Sequence, residues 1–234
     1  MEQNGGVATL GYLNQEVLKV PNVGWKTKTP FASIRRIVQD ERFFFKIKPG
    51  LWALFSYKDK LPQEIVPTGI VPKLEQELFN HSYYQGLLVE VGNLKKYETF
   101  VPSQDKNKKF LGKTLGEVSS PKSFYQFGYD HIARKAKTVD VCWFNIRKMP
   151  SALFEVEHST DIQNSLLKFV ELQDYNANFF IVADKARKAE YAGKLALNAF
   201  APVKSRVQFM DYDRVSDWHT KTFEIISVEN DLIF

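Results

Sequence analysis

The sequence predicts an α/β fold: a mixed central sheet flanked by helices, with a small module of different pattern ahead of it. Three observations carry this. Asn178 to Ala183 is a short, intensely apolar run of the kind buried in the middle of a sheet. Ala152-Leu-Phe-Glu-Val-Glu157 alternates apolar and acidic residues with the period of a strand. Helical periodicity precedes and separates the strand patterns in the order helix, three strands, helix, strand, which a sheet with packed helices satisfies. At 234 residues and 44% hydrophobic content the chain has material for a sizeable core.

Taken in order, Thr9 caps a short helix through Lys19 that turns Leu10, Leu13, Val17 and Leu18 inward. Thr29-Pro30 starts a second helix, since Thr caps well and Pro suits the first helical position. It runs to about Gln39, burying Phe31, Ile34 and Ile37 or Val38 and exposing Arg35 and Arg36, with Ser33 nearby. Phe43 to Lys48, a Pro49-Gly50 turn and Leu51 to Phe55 read as a hairpin. Helix, helix, hairpin is the order of a winged helix. Residues 61–72 carry Pro62, Pro67, Gly69 and Pro72 and read as a linker, which gives domains at 1–60 and 73–234.

Pro72 opens a long helix to about Leu94, with Leu74, Leu78, Tyr84, Leu87, Leu88 and Val91 periodic. Strands are expected at Tyr97 to Val101, Thr138 to Phe144 and Ala152 to Glu157. Thr160 then starts a helix, Gln163 completing a capping box and Leu166, Leu167 and Val170 forming the apolar side. After the strand at Asn178 come a helix through Leu197 and a last strand at Val207 to Met210. The charged stretches Asp105 to Lys109 and Arg134 to Lys137 read as loops near the core strands, with phosphate contact as their functional reading.

A net charge of +5 leans toward a polyanionic partner, only mildly. Cys142 is the single cysteine, so no internal disulfide can form, and its neighbours Val141 and Trp143 mark it as a buried, inert thiol. The N-terminal residues lack the basic and apolar regions of a signal peptide, and no apolar run is long enough to span a bilayer. The expectation is a soluble cytoplasmic protein with no membrane partner.

The residues with most chemistry are three acids. Glu155 and Glu157 share one face of their strand while Phe154 and Val156 take the other. If that strand pairs with the Thr138 to Phe144 run, Asp140 joins them, and three carboxylates converge. Like charges so close call for protons or a cation. Mg²⁺ is the simplest relief, because it prefers oxygen ligands and needs only one or two carboxylates.

Two resemblances bear on function. The stretch Gly24 to Ile37, followed by Phe44-Phe-Lys-Ile-Lys-Pro-Gly-Leu-Trp-Ala-Leu54, resembles the HARE-type helix-turn-helix family, whose modules accompany restriction enzymes and the bacterial RNA polymerase delta subunit. That resemblance implies DNA contact by Lys26, Lys28, Ser33, Arg35 and Arg36. The element order around Asp140 and Glu155 resembles the PD-(D/E)XK nuclease superfamily, with Glu157 at the position that lysine normally holds. It implies an αβββαβ nuclease core in which Asp140, Glu155 and the Val156 carbonyl hold Mg²⁺, with Mn²⁺ able to substitute. Glu157 would accept a proton or complete a second metal site. Glu90 on the preceding helix is the family-type outer acidic group, and Lys168 on the following helix is placed to supply the missing positive charge.

The function expected is sequence-specific, Mg²⁺-dependent cleavage of double-stranded DNA in the manner of a type II restriction endonuclease. A homodimer and a companion DNA methyltransferase acting on the same site are the partners this implies. The alternatives are a DNA-binding regulator that has lost catalysis, which the missing lysine favours, and a structure-specific repair nuclease.

Overall fold

The structure, a computed structural model, describes residues 1–21, 24–62, 65, 73–126 and 128–232. Most of the segment read as a linker, with Pro67, Gly69 and Pro72, lies outside the described residues, as does the side chain of Leu74. The N-terminal elements are β1 (Val7–Thr9), α1 (Leu10–Glu16), α2 (Pro30–Ile37), β2 (Phe44–Lys48) and β3 (Leu51–Leu54). Then follow α3 (Lys73–Leu94), β4 (Glu98–Phe100), the short β5 (Lys109–Phe110) and β6 (Lys113–Thr114), α4 (Leu115–Val118) and α5 (Asp130–Ala136). The chain continues through β7 (Val141–Phe144), β8 (Pro150–Glu157), α6 (Ile162–Glu171), β9 (Asn178–Ala183), α7 (Lys188–Leu195), β10 (Val207–Asp211) and α8 (Tyr212–Leu232). It divides into two compact units, Met1–Phe79 with Ser216–Phe234, and Asn80–Val215.

In the first unit the Thr9 hydroxyl caps α1 by accepting from the Tyr12 N–H, as its position predicts. Pro30 sits at the start of α2, but Thr29 makes no side-chain cap bond there. Ile34 and Val38 are buried, whereas Ile37 is half-exposed. The β2–β3 hairpin forms around Pro49-Gly50, and Gly50 has φ +70°, the left-handed turn conformation that glycine adopts without strain. The sequence reading missed β1, which pairs antiparallel with β3 to make a three-stranded sheet.

The second unit is built on a five-stranded sheet in the order β10-β9-β8-β7-β4. The β4–β7 and β7–β8 pairs are antiparallel, and β8–β9 and β9–β10 are parallel, so the mixed sheet expected from the sequence is the one found. The parallel pairs follow from α6 and α7, each a crossover that carries the chain back to start a neighbouring strand. Strand parity sorts the residues. Cys142, Leu153, Phe179 and Ile181 pack in one cluster with Ile162, Leu166 and Phe169 of α6. Trp143, one position out of phase, donates its indole N–H to the Leu88 carbonyl of α3, 3.1 Å away. Gly92 lets α3 lie close, for a Cβ there would come within 2.5 Å of Thr99 and 2.7 Å of the Trp143 ring.

Several local expectations need correction. Arg134 to Lys137 is not a loop, because Asp130–Ala136 is helical, with Ala133 and Ala136 buried beneath the charges. Helix α6 is capped by Asp161, whose carboxylate accepts from the Gln163 N–H, while the Thr160 hydroxyl turns to Glu157. Its apolar side is Ile162, Leu166 and Phe169, with Leu167 exposed. Leu78 on α3 is also half-exposed. The long α8 was not anticipated, since its apolar residues are scattered among polar ones.

Cys142 is 0% exposed, and burial pushes its thiol well above the ordinary value. Iodoacetamide is therefore expected to leave the native protein unlabelled and to label it fully after unfolding in guanidinium, with mass spectrometry as the readout. Labelling of the native chain at the unfolded rate would contradict this packing.

Candidate active site

The site forms where β7 begins and β8 ends. The registered pair Val141↔Phe154, extended by one residue, sets Asp140 opposite Glu155. Asp140 Oδ2 accepts the Val156 N–H at 2.7 Å, which ties the carboxylate to the backbone of the neighbouring strand. Glu155 and Glu157 point to the α6 side of the sheet, as their alternation predicts. There Ser165 reaches both, lying 3.1 Å from Glu155 Oε2 and in hydrogen-bond contact with Glu157 Oε1. Thr160 holds the other Glu157 oxygen.

Lys168, one turn beyond Ser165, donates to both oxygens of Glu155 at 2.8 and 2.7 Å, and to the Thr138 carbonyl at 3.2 Å. Its ammonium thus sits between the entry to β7 and the acid of β8. Glu155 is 3% exposed. Burial pushes its carboxyl well above the ordinary carboxylate range, the Asp140 charge adds to this, and Lys168 pulls the other way. For Lys168, burial disfavours the charge, yet Glu155 and the other acids outweigh it and its value ends above the ordinary lysine range.

On the other side of Asp140 lies a group the sequence reading missed. One ligand atom each from His81, Asp105 and Asp140 lie within 4.8 Å of one another, a spacing that a metal ion can bridge. His81 Nε2 is 3.5 Å from Asp140 Oδ1. Burial lowers the imidazole's affinity for a proton, but the Asp140 bond and charge prevail and raise it. Asp105, 2% exposed, is held by Lys108 at 2.6 Å and by the Gln85 amide at 2.7 Å. The same amide donates to the Asp140 carbonyl at 3.2 Å, while its Oε1, fully buried, has no hydrogen-bond partner among the described residues. The spacing of the His81, Asp105 and Asp140 ligand atoms, with a buried amide beside them whose oxygen lacks a donor, suits a divalent ion.

The predicted residues therefore divide. Asp140, Glu155, Glu157 and Lys168 share one neighbourhood, but among the described residues the ligand-spaced group around Asp140 is His81 and Asp105, not the expected trio of Asp140, Glu155 and Glu157. Val156 is present through its N–H, which Asp140 accepts. Glu90 is half-buried on α3, but helical periodicity puts it on the side opposite His81. Lys26, Lys28, Arg35 and Arg36 are exposed in the first unit, where Arg35 pairs with Glu224 at 3.1 Å. Ser33 spends its hydroxyl on the Thr29 carbonyl. A signal for the missed pair existed: His81 and Gln85, four apart on one helical face, bracket the buried turn Ser82-Tyr83-Tyr84 of α3. Asp105 had none, because it sits in a run of lysines that looks like a solvated loop.

Among the described residues, no helix is long and apolar enough to cross a membrane. A family model described as the type II restriction enzyme NmeDI C-terminal domain matches residues 60–233. No curated protein and no solved structure matches the chain.

Proposed function

Because the chain belongs to the family of type II restriction enzyme NmeDI C-terminal domains, which makes it a restriction endonuclease acting on DNA, we propose that cleavage is carried out by Asp140, Glu155 and Lys168. We read the site as a D…ExE variant of the PD-(D/E)XK nucleases. The observation that carries this is the Lys168 ammonium on both oxygens of Glu155, since the motif's lysine position is taken by Glu157. Helix α6 thereby returns the positive charge that the strand lacks, from one helical turn past the Ser165 contact.

In this reading Asp140 and Glu155, with the Val156 carbonyl, would hold Mg²⁺, for which Mn²⁺ would substitute. A divalent ion there would lower the pKa of a water and polarise the scissile phosphate. Lys168 opposes the burial that disfavours ionised Glu155 and presents positive charge where the phosphate gains negative charge. Glu157, gripped by Thr160 and Ser165, fixes the end of β8 and screens Lys168 from the far side. The Val156 N–H holds Asp140 in one orientation.

The first unit, in the helix, helix, hairpin order of a winged helix, serves as a DNA-holding module through Lys26, Lys28, Arg35 and Arg36. Replacing Arg35 and Arg36 together with alanine is expected to weaken duplex binding and reduce its salt slope by about 1 to 2. Fluorescence anisotropy across a salt series in Ca²⁺ checks this, and an unchanged slope would assign DNA contact to the second unit alone. Cutting both strands needs two such sites, so the working form is a homodimer. A methyltransferase of the same specificity would protect host DNA.

The decisive experiment is plasmid cleavage by the purified full chain. Discrete fragments from unmodified DNA in Mg²⁺ are expected. Failure on varied unmodified sequences in both Mg²⁺ and Mn²⁺, with binding retained, would select the non-cleaving regulator instead.

A further inference from the structure

We propose that His81, Asp105, Asp140 and Gln85 form a second, nitrogen-bearing divalent-ion site, adjacent to the Asp140–Glu155 pair and sharing Asp140 with it, that takes Mn²⁺-class ions in preference to Mg²⁺. The two sides of Asp140 differ in chemistry. Toward β8 the ligands, on the function proposed above, would be a carboxylate and a backbone carbonyl, all oxygen, as Mg²⁺ prefers. Toward α3 the partner is the His81 imidazole, whose Nε2 faces Asp140 Oδ1 at 3.5 Å. Imidazole nitrogen is a poor ligand for Mg²⁺ and a good one for first-row transition ions, whose affinity for such sites follows Mn²⁺ < Co²⁺ < Ni²⁺.

The geometry is close to closed. The three ligand atoms lie within 4.8 Å of one another. Ligands of an ion at about 2.0–2.2 Å are roughly 3 Å apart when cis and 4.0–4.4 Å when trans, so side-chain shifts of about 1–2 Å complete the site. The fully buried Gln85 amide is the independent sign of a ligand. It is anchored in the group by its contacts with Asp105 and the Asp140 carbonyl, and its oxygen is an orphan. A half-turn of the terminal torsion exchanges Oε1 for Nε2 and turns an oxygen donor toward Asp105 and Asp140, where a cation would accept it. The Lys108 ammonium now balances Asp105, and its flexible stem lets it leave when a divalent ion takes over that role. Asp140 has two oxygens, one committed to each side, so both sites can be filled together.

The test reads the bound ion directly and is independent of cleavage, so its failure is distinct from failure of the nuclease assignment. Mn²⁺ is added at sub-stoichiometric concentration to the untagged full chain, and electron spin-echo modulation is recorded for directly coordinated ¹⁴N. Wild type is expected to show the nitrogen signature, and calorimetry to give at least tenfold tighter binding of Mn²⁺ than of Mg²⁺. His81→Ala should lose the signature and most of that preference, whereas Glu155→Gln should keep the signature. Circular dichroism confirms that each variant is folded. Bound Mn²⁺ without nitrogen modulation in wild type, or modulation that survives in His81→Ala, would overturn the proposal; the wild-type measurement does so even if a variant fails to fold.

Discussion

Asp140→Asn is expected to lower the single-turnover cleavage rate by about 10³-fold or more, with duplex binding in Ca²⁺ changed by less than threefold. The size follows from the role: removing the charge that anchors the ion forfeits several kcal/mol of transition-state stabilisation, and ~4 kcal/mol is about a thousandfold. Asparagine is the informative choice, because its amide oxygen can still accept the Val156 N–H that Asp140 Oδ2 now accepts at 2.7 Å. The strand contact is preserved while the negative charge is lost. Quench-flow cleavage of a plasmid or a defined duplex provides the measurement. A variant within tenfold of wild type would place the reaction elsewhere.

Lys168→Met carries the second large effect, on both rate and stability. Methionine keeps the apolar stem but leaves Glu155, 3% exposed, without its cation. Breaking a buried pair costs about 3–5 kcal/mol, and because Lys168 retains 25% of its side-chain surface in solvent, a discounted loss of about 1–3 kcal/mol is expected. That corresponds to a melting temperature lower by about 3–10 °C. The rate should fall by about 10²-fold, since the charge that opposes protonation of Glu155 and faces the phosphate would be gone. The pH dependence has a definite sign. The Glu155 carboxyl already lies above its ordinary 4.5, chiefly through burial, and losing Lys168 raises it further. Cleavage needs the ionised form, so the acid limb of the rate profile moves to higher pH in the variant. Stability moves the opposite way: a carboxyl with a raised folded value favours folding below its unfolded value and loses that benefit as pH rises through the folded one. The deficit against wild type should therefore be smallest in acid. Adding Glu155→Gln to Lys168→Met should recover part of the lost stability, because the unpaired charge is gone. Additive destabilisation in the double variant would show that the two side chains do not act as a pair.

What was legible in the sequence was whatever depends on a short-range period. Alternation in residues 152–157 gave the shared face of Glu155 and Glu157, and the apolar density of residues 178–183 gave an interior strand. Helical spacing put Lys168 within reach of that face, and pairing brought Asp140 opposite Glu155, although Asp140 precedes β7 instead of lying inside the strand as its apolar neighbours suggest. The remainder depends on approach between distant segments. Asp105 becomes a site residue only because the loop after β4 folds against α3, and no pattern within that loop announces it. Arg134 to Lys137 was misread because charge dominated the local composition, while the two alanines that bury the helix are small and carry little signal. Thr160 was misread for another reason: Asp161, next to it, caps equally well, and Glu157 competes for the threonine hydroxyl.

The ion pair between Lys168 and Glu155 spans 13 residues of chain, whereas the Gln85 contact with Asp140 spans 55. Closing the longer loop costs about 1.3 kcal/mol more in chain entropy. By chain entropy alone, the Lys168–Glu155 pair is the easier to close once β8 and α6 meet, and docking of the turn of α3 that bears His81 is the harder. The acid thus gains its lysine through the shorter closure, while the His81 side of Asp140 depends on the longer one.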